Sequence, residues 1–158
     1  MTSGTNDAAA SRVLQVMKLL TGAVAASTLV YLVAVLLLVE MDGPLMPSLN
    51  SQHTTILIGM MILAFAFMLA GRKILANGLV NAKNSLNGPE ARLTAYRKPF
   101  VIHLFVLEVP AWITLTLYLL TGSFPFLALG AVLLGLILSS WPGNRKVSAQ
   151  LEIESARW

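Results

Sequence analysis

The strongest constraint on this chain is where its charges are missing. Leu19 to Val39 is 21 residues without Asp, Glu, Lys or Arg, Thr54 to Gly71 is another 18, and the 46 residues from Pro99 to Asn144 hold only Glu108. At 1.5 Å rise per residue, about 20 apolar residues cover the roughly 30 Å hydrocarbon core of a bilayer. The last block is too long for one span, and Thr121-Gly122-Ser123-Phe124-Pro125 supplies the break. The expectation is an all-α fold: an integral membrane bundle of four transmembrane helices, forming a single membrane domain over 1–158. The spans fall at about 19–39, 54–73, 99–120 and 124–141, the last two as a tight hairpin, followed by a cytoplasmic tail over 142–158.

Local signals set the ends. The first block is too long for the apolar stretch of a signal peptide, and no cleavage site follows it, so it reads as a retained span. Glu40-Met41-Asp42-Gly43-Pro44 closes it. After Arg72-Lys73, Leu75, Leu79, Ala82 and Leu86 recur on one helical face and Asn77, Asn81 and Asn84 on another. The second helix therefore runs on into the aqueous phase to about Leu86, ahead of a turn at Asn87-Gly88-Pro89. Pro142-Gly143-Asn144 ends the fourth block.

Composition narrows the function. Only 11% of residues are charged and 56% are hydrophobic, against about 25% charged in a soluble domain. That excludes a disordered chain, a basic nucleic-acid-binding domain and an ordinary soluble enzyme. The net charge of +4 is a topology signal. All eleven basic residues fall in the N-terminal tail, the 72–98 connection and the C-terminal tail, where four spans put them on one side. The opposite side holds Glu40, Asp42 and His53. Lys and Arg are retained on the cytoplasmic side, so both termini are expected there, in a bacterial-type inner (cytoplasmic) membrane. Arg72, Lys73, Lys83, Arg92, Arg97 and Lys98 form a cytoplasmic basic surface, an anchor or a docking surface for acidic partners or anionic headgroups.

The candidate site is Glu108, about nine residues into the third span. A charged side chain at that depth costs roughly 2.5–3.5 kcal/mol on insertion scales, so it is expected to face the bundle or a cavity, as an ion or proton site or as a hydrogen-bonded packing residue. Pro110 removes a backbone donor beside it and kinks the helix. His103 and Thr114 are the polar residues that support it. With His53 as the other histidine and no cysteine, no metal site is expected within the chain, and no cofactor. Gly22 and Ala26, and Ala131 and Gly135, are spaced i, i+4, which lets helices approach closely. No phosphate loop, catalytic triad or carboxylate pair is present, so the chain is not expected to be an enzyme.

The stretch from the second span through Arg72-Lys73, Asn87-Gly88-Pro89-Glu90 and Leu107-Glu108-Val109-Pro110 resembles the hairpin of the proteolipid rotor-ring (c-type) subunits of rotary ATP synthases. The resemblance covers about residues 60–120. In that family two helices are joined by a basic cytoplasmic loop with a Pro or Pro-Glu, and an ion-binding carboxylate follows in mid-membrane. The resemblance implies that role for Glu108 alone. The first and fourth spans have no counterpart in a two-helix subunit, and Met and Phe stand where the family's first helix has closely spaced glycines. Two functions are thus expected: a non-enzymatic accessory or structural subunit that packs in the lipid bilayer against other membrane subunits or copies of itself, or, as the alternative, a proton- or cation-translocating element using Glu108.

Overall fold

The computed structural model describes residues 3–84, 88–143 and 147. The described residues form four α-helices and a short 3-10 turn: α1 (Ser3–Asp42), the turn (Pro47–Gln52), α2 (His53–Lys83), α3 (Gly88–Thr121) and α4 (Phe124–Ser139). There is no strand among them. The expected turn at 87–89, the extension to Leu86 and most of the tail, with Arg145, Lys146 and Arg157, lie wholly or partly outside the described residues.

Three stretches are long and apolar enough to cross a membrane: Ser11–Asp42, Pro47–Lys83 and Ala91–Thr121. The fourth apolar helix, α4, has 16 residues, or about 24 Å. It starts directly after the Gly122 turn. It ends where the Ser139 and Ser140 hydroxyls both donate to the Leu136 carbonyl, just before Pro142. Helix α1 begins far ahead of the apolar block, at Ser3. No Pro or Gly interrupts residues 5–21, and Ala8-Ala9-Ala10 favours helix.

Helix α3 is the hub, packing against α1, α2 and α4. It contributes to every buried cluster: Leu93, Tyr96, Phe100 and Leu104 with Leu14 and Met17 at the basic end, Leu107 with Val24 and Ile137, Ala111 with Ala64 and Leu133, and Tyr118 with Val35 and Phe126. The outer surface of the bundle is apolar at mid-length. Val30, Ile62, Phe65 and Val132 are each more than half exposed.

The end of the bundle away from Arg72 and Lys98 is closed by backbone chemistry. A helix leaves its last carbonyls without intrahelical donors. Leu45 N–H donates to Leu119 O at 3.2 Å and Met46 N–H to Leu120 O at 2.8 Å, so the chain leaving α1 caps α3. Gly43 and Gly122 take positive φ values of 79° and 67° at the two helix ends, a conformation that L side chains adopt only with strain.

Close packing against α3 depends on glycines in its neighbours. A Cβ at Gly78 would overlap the Pro99 ring, one at Gly71 would lie 2.7 Å from His103 Nδ1, and one at Gly130 would lie 2.7 Å from a Leu115 methyl. A proline ring cannot swing aside, so Gly78→Ala forces α2 and α3 apart. We expect that substitution to lower stability by about 1–3 kcal/mol, the range for overpacking. Gly59→Ala, where a Cβ meets nothing within 4 Å, should leave stability unchanged or slightly raised. Thermal unfolding of both variants in detergent checks the contrast.

Candidate functional site: the α1–α3 seam

Glu108 lies on the outer edge of the seam between α1 and α3, half-buried, and is not enclosed by the four helices. Its partner comes from α1: Ser27 Oγ is 3.0 Å from Glu108 Oε1. The same hydroxyl is 2.9 Å from the Val24 carbonyl. One hydroxyl proton serves one acceptor at a time. A protonated Glu108 donates to Ser27 Oγ while Ser27 donates to Val24. An ionised Glu108 accepts the Ser27 proton, and the Val24 carbonyl then relies on helical donors. The seam therefore accommodates both forms. Among the described residues no cation meets this carboxyl.

One turn further along both helices, the Tyr31 and Trp112 rings stack, with centroids 4.7 Å apart and planes 14° from parallel. The Tyr31 hydroxyl reaches Thr116 Oγ1 at 2.8 Å. Ser27 and Tyr31 are spaced i, i+4, as are Glu108, Trp112 and Thr116, so the contacts form a ladder up two adjacent helices. Trp112 remains 42% exposed. With Glu108, Val109 and Ile113 it borders an open notch of about 360 Å³ whose walls are almost wholly apolar.

The residues expected to support Glu108 go elsewhere. His103 points to the opposite side of α3, where it is buried against Gly71 of α2. Its Nδ1 makes no hydrogen bond among the described residues, and its ring borders a separate cavity of about 150 Å³ with Tyr96, Ser139 and Trp141. Thr114 is buried and donates to the Pro110 carbonyl at 2.6 Å. Pro110 is buried, and α3 continues as one helix through it and Pro99. The small residues chosen from spacing do not make the close approaches within this chain. Ala26, Ala131 and Gly135 are exposed, and Gly22 is 3.8 Å from the Trp141 ring by its would-be Cβ. On the basic surface Arg72, Lys73, Arg97 and Lys98 are exposed, and Lys83 and Arg92 are half-buried and engaged in interactions. No group of three or more potential metal ligands occurs among the described residues.

Sequence reasoning missed Tyr31 and the pairing of Ser27 with Glu108. The usable signal was polar and aromatic residues recurring every four positions at similar depth in two apolar segments. No family model matches the chain, and no curated protein or solved structure matches it at significance.

The hydrogen bond and the stack can be separated experimentally. A double-mutant cycle of Tyr31→Phe and Thr116→Val should give a coupling of about 0.5–1.5 kcal/mol, the net contribution of one such bond. Trp112→Ala should cost more than either single change, since it removes the whole ring stacked on Tyr31. Melting temperatures in detergent provide the readout.

Proposed function

We propose that the protein is a small, non-enzymatic subunit of a membrane complex. In this reading it crosses a bacterial-type inner membrane four times, with both termini and the basic surface on the cytoplasmic side. It packs its α1–α3 face against a transmembrane helix of another subunit. The observation that carries the reading is Glu108, a half-buried carboxyl on an apolar surface at mid-span whose one partner among the described residues is Ser27. Left against lipid, such a group is costly, and intramembrane carboxyls pair with neighbours. A partner helix that brings a hydroxyl, amide or cation to the level of Ser27 would complete its hydrogen bonds and fill the notch beside Trp112. The outward-facing Ala26, Ala131 and Gly135 would let neighbouring helices approach closely. The short α4 would cross with the chain on either side of it, from the Gly122-Ser123 entry to the Trp141 exit.

A second reading is favoured by one feature of the same site. Because Glu108 faces out of the chain and Ser27 serves both its protonation states, a neighbouring subunit could form the other half of a proton or cation site. That is the role implied by the rotor-ring resemblance.

The two readings separate on tagged protein extracted gently from its own membranes and weighed by native mass spectrometry. For a structural subunit, stoichiometric companions should be retained in Glu108→Gln, because an amide keeps the hydrogen bonds. They should fall several-fold in Glu108→Leu, with helicity by circular dichroism unchanged. Loss of ion transport in Glu108→Gln with assembly intact, or a homo-oligomer without companions, would overturn the subunit reading and favour translocation.

A further inference from the structure

A second feature of α3, remote from the seam and on its α2 side, has a chemistry of its own. An open groove of about 410 Å³ runs between the basic ends of α2 and α3. Its floor is the Gly78–Pro99 contact. Its two ends differ in character. Ile74 and Ile102 line the end nearer the middle of the helices, and Asn77, Asn81 and Lys98 line the rest. These three polar side chains are exposed and make no hydrogen bond or ion pair among the described residues. Among the described residues no carboxylate lines the groove.

We infer that this groove binds the headgroup of an anionic phospholipid. The inference rests on the membrane reading given above. Depth is the first argument. A hydrocarbon core of about 30 Å takes roughly 20 residues of α2 from its start at His53, which places Ile74 at the boundary and Asn77 to Asn81 in the headgroup layer. Lys98 stands at the same level on α3, next to the Pro99 that packs on Gly78. Donor chemistry is the second argument. Two carboxamides and an ammonium supply N–H donors to a phosphodiester, and the ammonium adds the matching charge. Orientation is the third. The groove lies along the sides of the helices, where lipid stands, and its isoleucine end continues toward the apolar surface where an acyl chain runs. A free phosphate ion would make no use of that end.

The experiment has two stages, both on the full chain. Flotation with vesicles of phosphatidylcholine, with and without phosphatidylglycerol, tests the membrane reading by itself: a chain that stays at the bottom of the gradient overturns that reading and this inference with it. Native mass spectrometry of the purified chain, offered equal amounts of the two lipids, then tests the groove. The wild type should retain phosphatidylglycerol in preference, and excess inorganic phosphate should not displace it. Lys98→Gln should cut that preference about five-fold, the contribution of one basic residue at an anionic headgroup. Asn77→Leu with Asn81→Leu should cut it further. Arg12→Gln, the same charge change on α1 outside the groove, should leave it within two-fold. Equal retention of both lipids, an equal loss in Arg12→Gln and Lys98→Gln, or displacement by phosphate overturns the assignment. Circular dichroism confirms that each variant keeps its helices.

Discussion

The bundle depends on how closely α2 and α4 can approach α3. Three side chains of α3, Pro99, His103 and Leu115, sit where a Cβ on the neighbouring helix would collide, at Gly78, Gly71 and Gly130. In the membrane reading, water expulsion would supply little attraction between these apolar helices, so contact area and shape would carry the association. Glycine gaps convert a bulky α3 side chain into contact instead of a wedge. The seam with α1 works differently. There Leu14, Met17, Val24 and Val35 pack on α3 in the buried clusters, and a hydroxyl on a carboxyl, a ring on a ring and a phenol on a hydroxyl line the outer edge. Glycine-fitted packing thus sets how α2 and α4 meet α3, and apolar clusters edged by polar and aromatic pairs set how α1 does.

The same economy governs the remaining polar groups. Thr21, Thr28, Thr114 and Thr121 are all buried, and each donates to the carbonyl four residues before it. A hydroxyl satisfied within its own helix makes no demand on a neighbour. Glu108 has no such local solution. Its side chain is acceptor-only when ionised and cannot close onto a backbone carbonyl, so it needs a group from another helix. Ser27 supplies one hydrogen bond, and the carboxyl has capacity for more.

Much of this was legible in the sequence, for a physical reason. Uncharged stretches near bilayer length and the Gly-Pro breaks at Gly43-Pro44 and Gly122 to Pro125 are local, and they mark where helices run and stop. The start of α1 was less legible, because a polar helix and a polar tail have similar composition. Ser3 to Lys18 joins the helix since nothing breaks it and since Leu14 and Met17 pack on Leu93, Tyr96 and Phe100. Helix–helix contacts were illegible from spacing alone. An i, i+4 pair of small residues marks a smooth face without naming what meets it. Gly22 with Ala26 and Ala131 with Gly135 fitted that pattern, while the tight approaches fell to Gly71, Gly78 and Gly130, which a proline, a histidine and a leucine of α3 select. Glu108 stood out from its depth, but its partner did not. His103 and Thr114 were near it in sequence, whereas Ser27 is 81 residues away.

The division of α3 into two faces bears on how the molecule can associate. On the α2 side, opening the contact would expose the Gly78 floor and unpack a rigid proline ring, so that side is suited to hold a fixed shape. On the α1 side, the Ser27–Glu108 and Tyr31–Thr116 contacts can exchange one donor for another with little change in backbone. Trp112 is already 42% exposed beside an open notch. A neighbouring helix can therefore complete the seam by adding hydrogen bonds to Glu108 and covering the ring. The glycine-fitted interior need not move. The rigid half of α3 would keep Glu108 at a constant depth, and the adaptable half would let it take a partner at that depth. This is why the carboxyl at the seam carries the functional proposal, and the more deeply buried His103 does not.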